Sequence, residues 1–326
     1  MLGEFDLIAR YFKPLAERMA GAAGLEDDAC TWAPAPGEEL VLTADALIAG
    51  IHFLPDDPAD LVARKMLRVN LSDLAAKGAT PVGYLMTTAF SAEVDEAWVA
   101  LFAQGLAADQ DEFGIGLMGG DTVATPGPLS LSLTAIGTVP TGRVPRRSGA
   151  KAGDVILVSG SIGDGALGLK VLRHDFLGLE ESHRRFLANR YHLPRPRIDL
   201  GRALMQSGLA HAMMDVSDGL VADLTHIAEA SKVAATLRAN AVPVSEAAAA
   251  ILADDMRWLP LILTGGDDYE LLLTAAASDV PALLGIAAEL DVPLTAIGEI
   301  AAGAGVAVVD RDGAALELAS KGYRHF

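Results

Sequence analysis

Apolar residues run through Val41-Leu42-Thr43-Ala44-Asp45-Ala46-Leu47 with a single aspartate among them, the pattern of a strand. A turn, Gly50-Ile51-His52-Phe53, separates this strand from a helix that Asp57 can cap, with Pro58 at its first position and Gly78 closing it. At about 100° per residue, Asp73 shares the apolar face of that helix with Val62, Met66 and Val69. Asn70 and Lys77 flank it, and Arg64, Arg68 and Ser72 form the wetter face. The same spacing predicts an opening helix over 5–19, carried by Phe5, Ile8, Phe12, Leu15 and Met19, with a kink or split at Pro14. Strands are expected over 82–90, 129–139 and 155–159, and helices over 95–113 and 166–172. Around 214–224 an apolar strand gives way to a further helix.

An aspartate on an apolar helix face needs a partner, because burying a bare charge is costly. Asp45 on the strand and Asp73 on the helix can share one, and a cation is the obvious candidate. Asp27 and Asp28 belong to a three-acid run before that strand, a solvated turn by itself but suggestive in this position. Gly119-Gly120-Asp121-Thr122 pairs two glycines, which allow close approach to a ligand, with an aspartate immediately beyond. The spaced glycines at 114, 116 and 119 follow a helix and enter a strand, so they do not make a dinucleotide-binding turn. The loop 141–150 is the densest basic patch, and Arg147 within it can grip a phosphate or simply line a solvated linker. Gly160-Ser161-Ile162-Gly163-Asp164-Gly165 reads as a tight connection that leaves room for ligand contact at a helix start. Asp215 and Asp218 bracket Ser217 where strand gives way to helix. Ser217 or Asp218 can cap that helix, but capping explains one acid and not the pair. Gly265-Gly266-Asp267-Asp268 repeats the earlier theme, and the tail Gly322-Tyr323-Arg324-His325-Phe326 is expected to fold back onto the body.

Bulk properties narrow the chemistry. The 326 residues, 51% hydrophobic and 21% charged, make an ordinary globular chain long enough for two domains. A composition shift puts the boundary near 140, giving domains 1–140 and 141–326. A net charge of −18 argues against nucleic acid as a partner and leaves phosphate repelled unless metals intervene. The single cysteine, Cys30, allows no internal disulfide. Acids at the N-terminus do not suit a signal peptide, and no apolar run reaches the ~18 residues of a membrane span. A cytoplasmic protein without a membrane partner is therefore expected. Carboxylates at loops and element ends are hard ligands suited to Mg²⁺, Mn²⁺ or Ca²⁺, and Mg²⁺ bound through carboxylates points to a nucleotide polyphosphate.

Several segments together resemble thiamine-monophosphate kinase, within the wider aminoimidazole-ribonucleotide-synthetase-like superfamily. They are Gly3-Glu4-Phe5, the 27–29 run, Asp45 through Phe53, 69–78, 119–122, 147–150, 215–220 and 265–271, in order along nearly the whole chain. The resemblance implies an α/β (α+β) two-domain synthetase-like fold. Its N-terminal domain would carry a mixed sheet paired across a homodimer, and an α/β C-terminal domain would close a cleft. It implies phosphorylation of thiamine monophosphate by ATP, with several Mg²⁺ ions. By matching motif, Asp28, Asp45, Asp73, Asp121, Asp215 and Asp218 would hold metal, with Thr43, the Ala44 carbonyl and Asp27 beside them. Gly120, Asp121, Arg147 and Ser217 would contact ATP, and His52, Asp267 and Tyr323 the thiamine side. Glu26 stands where the family usually has glycine. Ala44 replaces a common threonine, leaving main-chain ligation there, and Asp267 is one methylene shorter than the usual glutamate.

Two other readings compete. An ATP-dependent synthetase of purine or selenium metabolism keeps the fold, although the selenium type wants a reactive cysteine leading the chain, where Cys30 is not. A non-catalytic Ca²⁺ module would leave the Gly-Gly-Asp pairs and the Arg147 loop unexplained, and the chain has no twelve-residue calcium loop.

Overall fold

The computed structural model describes residues 3–323. It separates into two compact units. One runs to Leu74 and resumes from Ala79 to Gly142; the other takes Ala75–Gly78 and the chain from Arg143 onward.

The opening segment of the first unit is not one helix. After α1 (Glu4–Leu7) the chain widens into a π turn, Ile8–Phe12, and tightens into a 3₁₀ turn, Lys13–Ala16. Pro14 supplies no N–H to the preceding turn, so the ladder breaks where the sequence places the proline. A second 3₁₀ segment, Ala20–Leu25, bends through left-handed Ala23 and Gly24 and leads into the acidic run.

The sheet of this unit has the order β1-β4-β2-β3, built from β1 (Glu38–Ile48), β2 (Thr80–Phe90), β3 (Gly116–Ala124) and β4 (Ser130–Pro140). β4 lies antiparallel to both β1 and β2, whereas β2 and β3 run parallel, so the sheet is mixed. Alternation along β4 shows its two faces: Leu131, Leu133 and Ala135 are buried, with Ser132 and Thr134 between them less so. The other face leaves Leu42, Leu85 and Val123 exposed.

Two helices accompany the sheet. In α2 (Ala59–Ala76), Gly78 at φ 61° takes the left-handed position that ends the helix, with Gly78 N bonded to Ala75 O and Ala79 N to Leu74 O. α3 (Glu96–Phe113) starts on Asp95, whose carboxylate accepts from Trp98 N at 2.8 Å, and stops at left-handed Gly114. The expected wet face of α2 is not wet. Arg68 and Ser72 are buried, and Arg68 lies over the Phe113 ring, bonded to both oxygens of fully buried Asp109 on α3. Arg64 joins the same carboxylate at 2.7 Å. The Asp57 carboxylate accepts from Leu54 N in the turn before the helix, and the ladder begins with Val62 N on Pro58 O.

The second unit is a six-stranded sheet with helices on both faces. Its strands are β5 (Asp154–Ser159), β6 (Ala210–Val216), β7 (Ala234–Arg238), β8 (Glu270–Ala276), β9 (Leu294–Ala301) and β10 (Gly305–Val309), in the order β10-β7-β9-β5-β8-β6. Only the β10–β7 pair is parallel. Its helices are α4 (Asp164–Leu172), α5 (Glu181–His192), α6 (Ile198–Ser207), α7 (Leu220–Ser231), α8 (Glu246–Asp254), α9 (Leu259–Thr264) and α10 (Val280–Glu289). Strand alternation sorts the core in two. Ile156, Val158, Met214 and Leu272 join residues of α4, α5, α7, α8 and α9 in one cluster. Leu157, Met213, Leu271 and Leu273 join residues of α6 and α10, and Ala75 and Ala76 of α2, in the other. No helix of the described residues is long and apolar enough to cross a membrane.

Candidate functional site

In the first unit the hydroxyl of Thr43 on β1 donates a short hydrogen bond to the Asp73 carboxylate on α2. Asp73 stays half-buried while its neighbours Ser72 and Leu74 are fully buried, so the helix opens at this carboxylate. Asp45 lies two residues beyond Thr43 on the same face of β1. Strand and helix thus bring Thr43, Asp45 and Asp73 to one side of the sheet, a set of hard oxygen donors suited to a divalent cation. Ala44, between them, points its methyl the other way and is exposed.

Asp121 belongs to another row. The ladder aligns Asp45 with Leu133, Met86 and Gly120, and aligns Asp121 with Thr87, Ser132 and Ala46. Adjacent rows point to opposite faces, so Asp121 does not share the face of Asp45 and Asp73. It lines a pocket at the β3 edge together with Asp27, Asp28, Cys30, Gly120 and Met118. Asp27 and Asp28 are exposed there, and the Asp27 carboxylate accepts from Asp28 N. The glycine at 120 has a packing reason the sequence hides: a Cβ would sit 1.8 Å from the Met86 carbonyl on β2. Its missing side chain makes room for the neighbouring strand.

His52 closes the turn after β1. Its Nδ1 accepts from Ile48 N at 3.0 Å, while its backbone N–H donates to Ile48 O. That contact fixes the neutral tautomer with the proton on Nε2.

In the second unit, Asp215 lies buried one residue before the end of β6, and the chain then turns through Ser217, Asp218 and Gly219 into α7. Neither Ser217 nor Asp218 caps the helix. Gly219 at φ 121° turns the chain so that Asp223, in the first helical turn, reaches back to accept from Ser217 N at 3.0 Å and Asp218 N at 3.2 Å. The side chains of Ser217 and Asp218 are thereby released from capping. Burial, then the Asp215 and Asp218 carboxylates, push Asp223 well above the usual aspartate range. Donor atoms of Asp218, Asp223 and His226 lie within 4.8 Å of one another. Sequence reasoning missed Asp223 and His226; their one signal is their position a helical turn beyond the Ser217 motif.

Arg147 is exposed on a loop that Ser231, the last residue of α7, holds in place. The Ser231 hydroxyl accepts from Gly149 N and Ala150 N, both at 3.1 Å, and donates to Arg147 O. Tyr323 N donates to Asp218 O at 3.0 Å, so the tail folds back as far as Tyr323; Arg324, His325 and Phe326 lie outside the described residues.

The Gly265-Gly266 motif forms a loop in which Asp267 has φ 74° and Tyr269 φ 54°. The Tyr269 hydroxyl donates to the Asp267 carboxylate at 3.2 Å. The start of α4, read as a connection with room for a ligand, is filled by the protein itself: Gly163 N and Gly165 N both donate to the Asp268 carboxyl. Glu270 is fully buried, gripped by Arg197 through Nε at 2.7 Å and Nη2 at 2.6 Å, by Arg190 at 3.0 Å and by the Ser159 hydroxyl.

Residues 26–139 match the family model of the AIR synthase related protein, N-terminal domain, and residues 151–311 that of its C-terminal domain. The thiamine-monophosphate kinase of Salmonella typhimurium is 43% identical over 326 residues, 99% of this chain and 98% of that protein. The crystal structure of thiamine-monophosphate kinase from Stenotrophomonas maltophilia superposes with a TM-score of 0.85 at 43% identity, covering 97% of this chain and 98% of that one. AaThiL complexed with AMPPCP and TMP superposes with a TM-score of 0.78 at 29% identity, over 100% of this chain and 97% of that one.

Proposed function

The chain belongs to the thiamine-monophosphate kinases of the AIR synthase related family, and from that premise we propose how its own residues serve the transfer of a phosphoryl group from ATP to thiamine monophosphate. Both substrate classes have a counterpart in the relative complexed with AMPPCP, an analogue of ATP, and TMP. The product is thiamine diphosphate. The observation that carries the residue-level reading is the clasp of Thr43 on Asp73 beside Asp45, two oxygen donors on β1 meeting one on a helix otherwise buried around it.

In the first unit Asp45, Asp73 and Thr43 on one face, and Asp27, Asp28, Asp121 and the Ala44 carbonyl apart from them, would hold Mg²⁺, as would Asp215 and Asp218 in the second. Bound there, Mg²⁺ would neutralise phosphate charge that a chain of net charge −18 otherwise repels. Arg147 supplies a planar guanidinium for the ATP phosphates, with Ser217 and Gly120 beside the nucleotide. His52, Asp267 and Tyr323 face the thiamine side. The His52 tautomer suits a donor role: Nδ1 is taken by Ile48 N, and Nε2 carries the proton.

The acceptor needs no general base. A phosphate monoester has its second pKa near ~6 and is mostly dianionic at neutral pH. The chain's residues therefore act by positioning and by charge neutralisation, and transfer is direct and in line. The exposed Leu42, Leu85 and Val123, with β1 at a sheet edge, support pairing of this face with a second copy. ADP formation with and without thiamine monophosphate tests the reading. Release that depends on thiamine monophosphate is expected, and no release in either arm would point to the synthetase alternative, whose own acceptor the assay lacks.

A further inference from the structure

The loop carrying Asp267 holds two non-glycine residues, Asp267 and Tyr269, in the left-handed region with one residue between them. L-residues avoid that region, so a loop of this sequence does not take this path unless its surroundings impose it. Part of the constraint is backbone: Asp267 N donates to Ser217 O at 2.9 Å, and Tyr269 N to Val216 O at 2.8 Å. The rest comes from the side chain between them. Asp268 is 1% exposed, and its two carboxyl oxygens each take one N–H from the first residues of α4, Gly163 at 2.7 Å and Gly165 at 3.1 Å. Gly165 also fixes how close this packing is, since a Cβ there would lie 2.2 Å from the Asp267 carbonyl. On the other side of the loop, Glu270 is locked by Arg190 and Arg197. The path of Asp267 is thus set at both ends, and the Tyr269 hydroxyl orients the carboxylate itself.

We infer that Asp268 and Tyr269 are positioning residues for the acceptor: Asp268 fixes the backbone of Asp267 and Tyr269 aims its carboxylate. This rests on the reading that Asp267 faces the thiamine side. Neither residue touches the reacting atoms in this role. The consequence falls unequally on the two substrates: loosening the loop weakens capture of thiamine monophosphate far more than that of ATP, which the loop reaches only through its backbone bond to Ser217 O.

The test is a double-mutant cycle read as Michaelis constants for each substrate. Asp268→Asn keeps the shape but cannot accept both N–H groups, and Tyr269→Phe removes only the hydroxyl, so the second variant stands in if the first does not fold. Asp268→Asn is expected to raise KM for thiamine monophosphate about tenfold and Tyr269→Phe severalfold, with KM for ATP within twofold in both. In an Asp267→Ala background both effects should disappear. Effects that persist in full on top of Asp267→Ala, or that raise both Michaelis constants together, would overturn the positioning role. Asp267→Ala leaving KM for thiamine monophosphate unchanged would instead remove the reading of Asp267, and this inference with it.

Discussion

At the scale of single residues, burial divides the carboxylates by task. Asp109 and Glu270 are fully buried and answered by arginines, so their charges hold elements together. Asp73 is half-buried and answered by the Thr43 hydroxyl, a neutral group that leaves its charge uncompensated by any cationic side chain in that contact. Asp73→Asn should therefore abolish turnover while leaving the melting temperature near that of the parent, measured by steady-state assay and thermal unfolding on the same preparation. Near-normal activity at ordinary Mg²⁺ would defeat the multi-carboxylate reading. His52 carries two tasks. His52→Ala should raise KM for thiamine monophosphate more than that for ATP. It should also cost about 1 kcal/mol of stability, because Ile48 N loses its acceptor. Equal effects on both Michaelis constants would return His52 to a purely structural role.

Between elements, the start of α4 holds a group with a pH signature. Burial pushes Asp268 up to about 8, against the Gly163 and Gly165 N–H groups that favour its charged form; Asp164 raises it further and Arg190 lowers it. The folded protein then holds a proton that the unfolded chain, with aspartate near ~3.9, has released. Stability from this group is complete below the unfolded value and is lost as pH rises toward about 8. Asparagine does not titrate, so the stability advantage of the parent over Asp268→Asn should shrink between pH 5 and 8, by at most about 1.4 kcal/mol per unit. Thermal melts of the two across that range check it, and a constant or growing advantage would contradict it. The same scale shows what the sequence could and could not reveal. Period-two alternation located β4 and Gly78 located the end of α2, because both signals lie within the segment itself. The polarity of Arg64 and Arg68 pointed to water, yet their partners Asp109 and Glu112 sit on another helix more than forty residues away. Capping rules likewise favoured Ser217 or Asp218, whereas the left-handed Gly219 gave the task to Asp223. Anion-binding geometry at α4 was legible in its glycines, but not that Asp268 fills it from a hundred residues on.

At the scale of the whole molecule, the carboxylates proposed to hold metal are distributed over the two compact units of a chain with net charge −18. Thr43, Asp45 and Asp73 lie in the first, and Asp215 and Asp218 in the second. The exposed apolar face of the first sheet is the strongest signal of association: Leu42 is 60% exposed and Val123 45%. Light scattering at micromolar concentration should give the mass of a homodimer, and a monomer mass would count against that pairing. The central claim is direct transfer to an acceptor that is already an oxyanion. A rapid-quench single turnover with γ-labelled ATP tests it most directly. The account predicts that label remains in ATP until thiamine monophosphate is added, then passes into thiamine diphosphate with none retained on the protein. Label trapped on the protein before the acceptor arrives would contradict it.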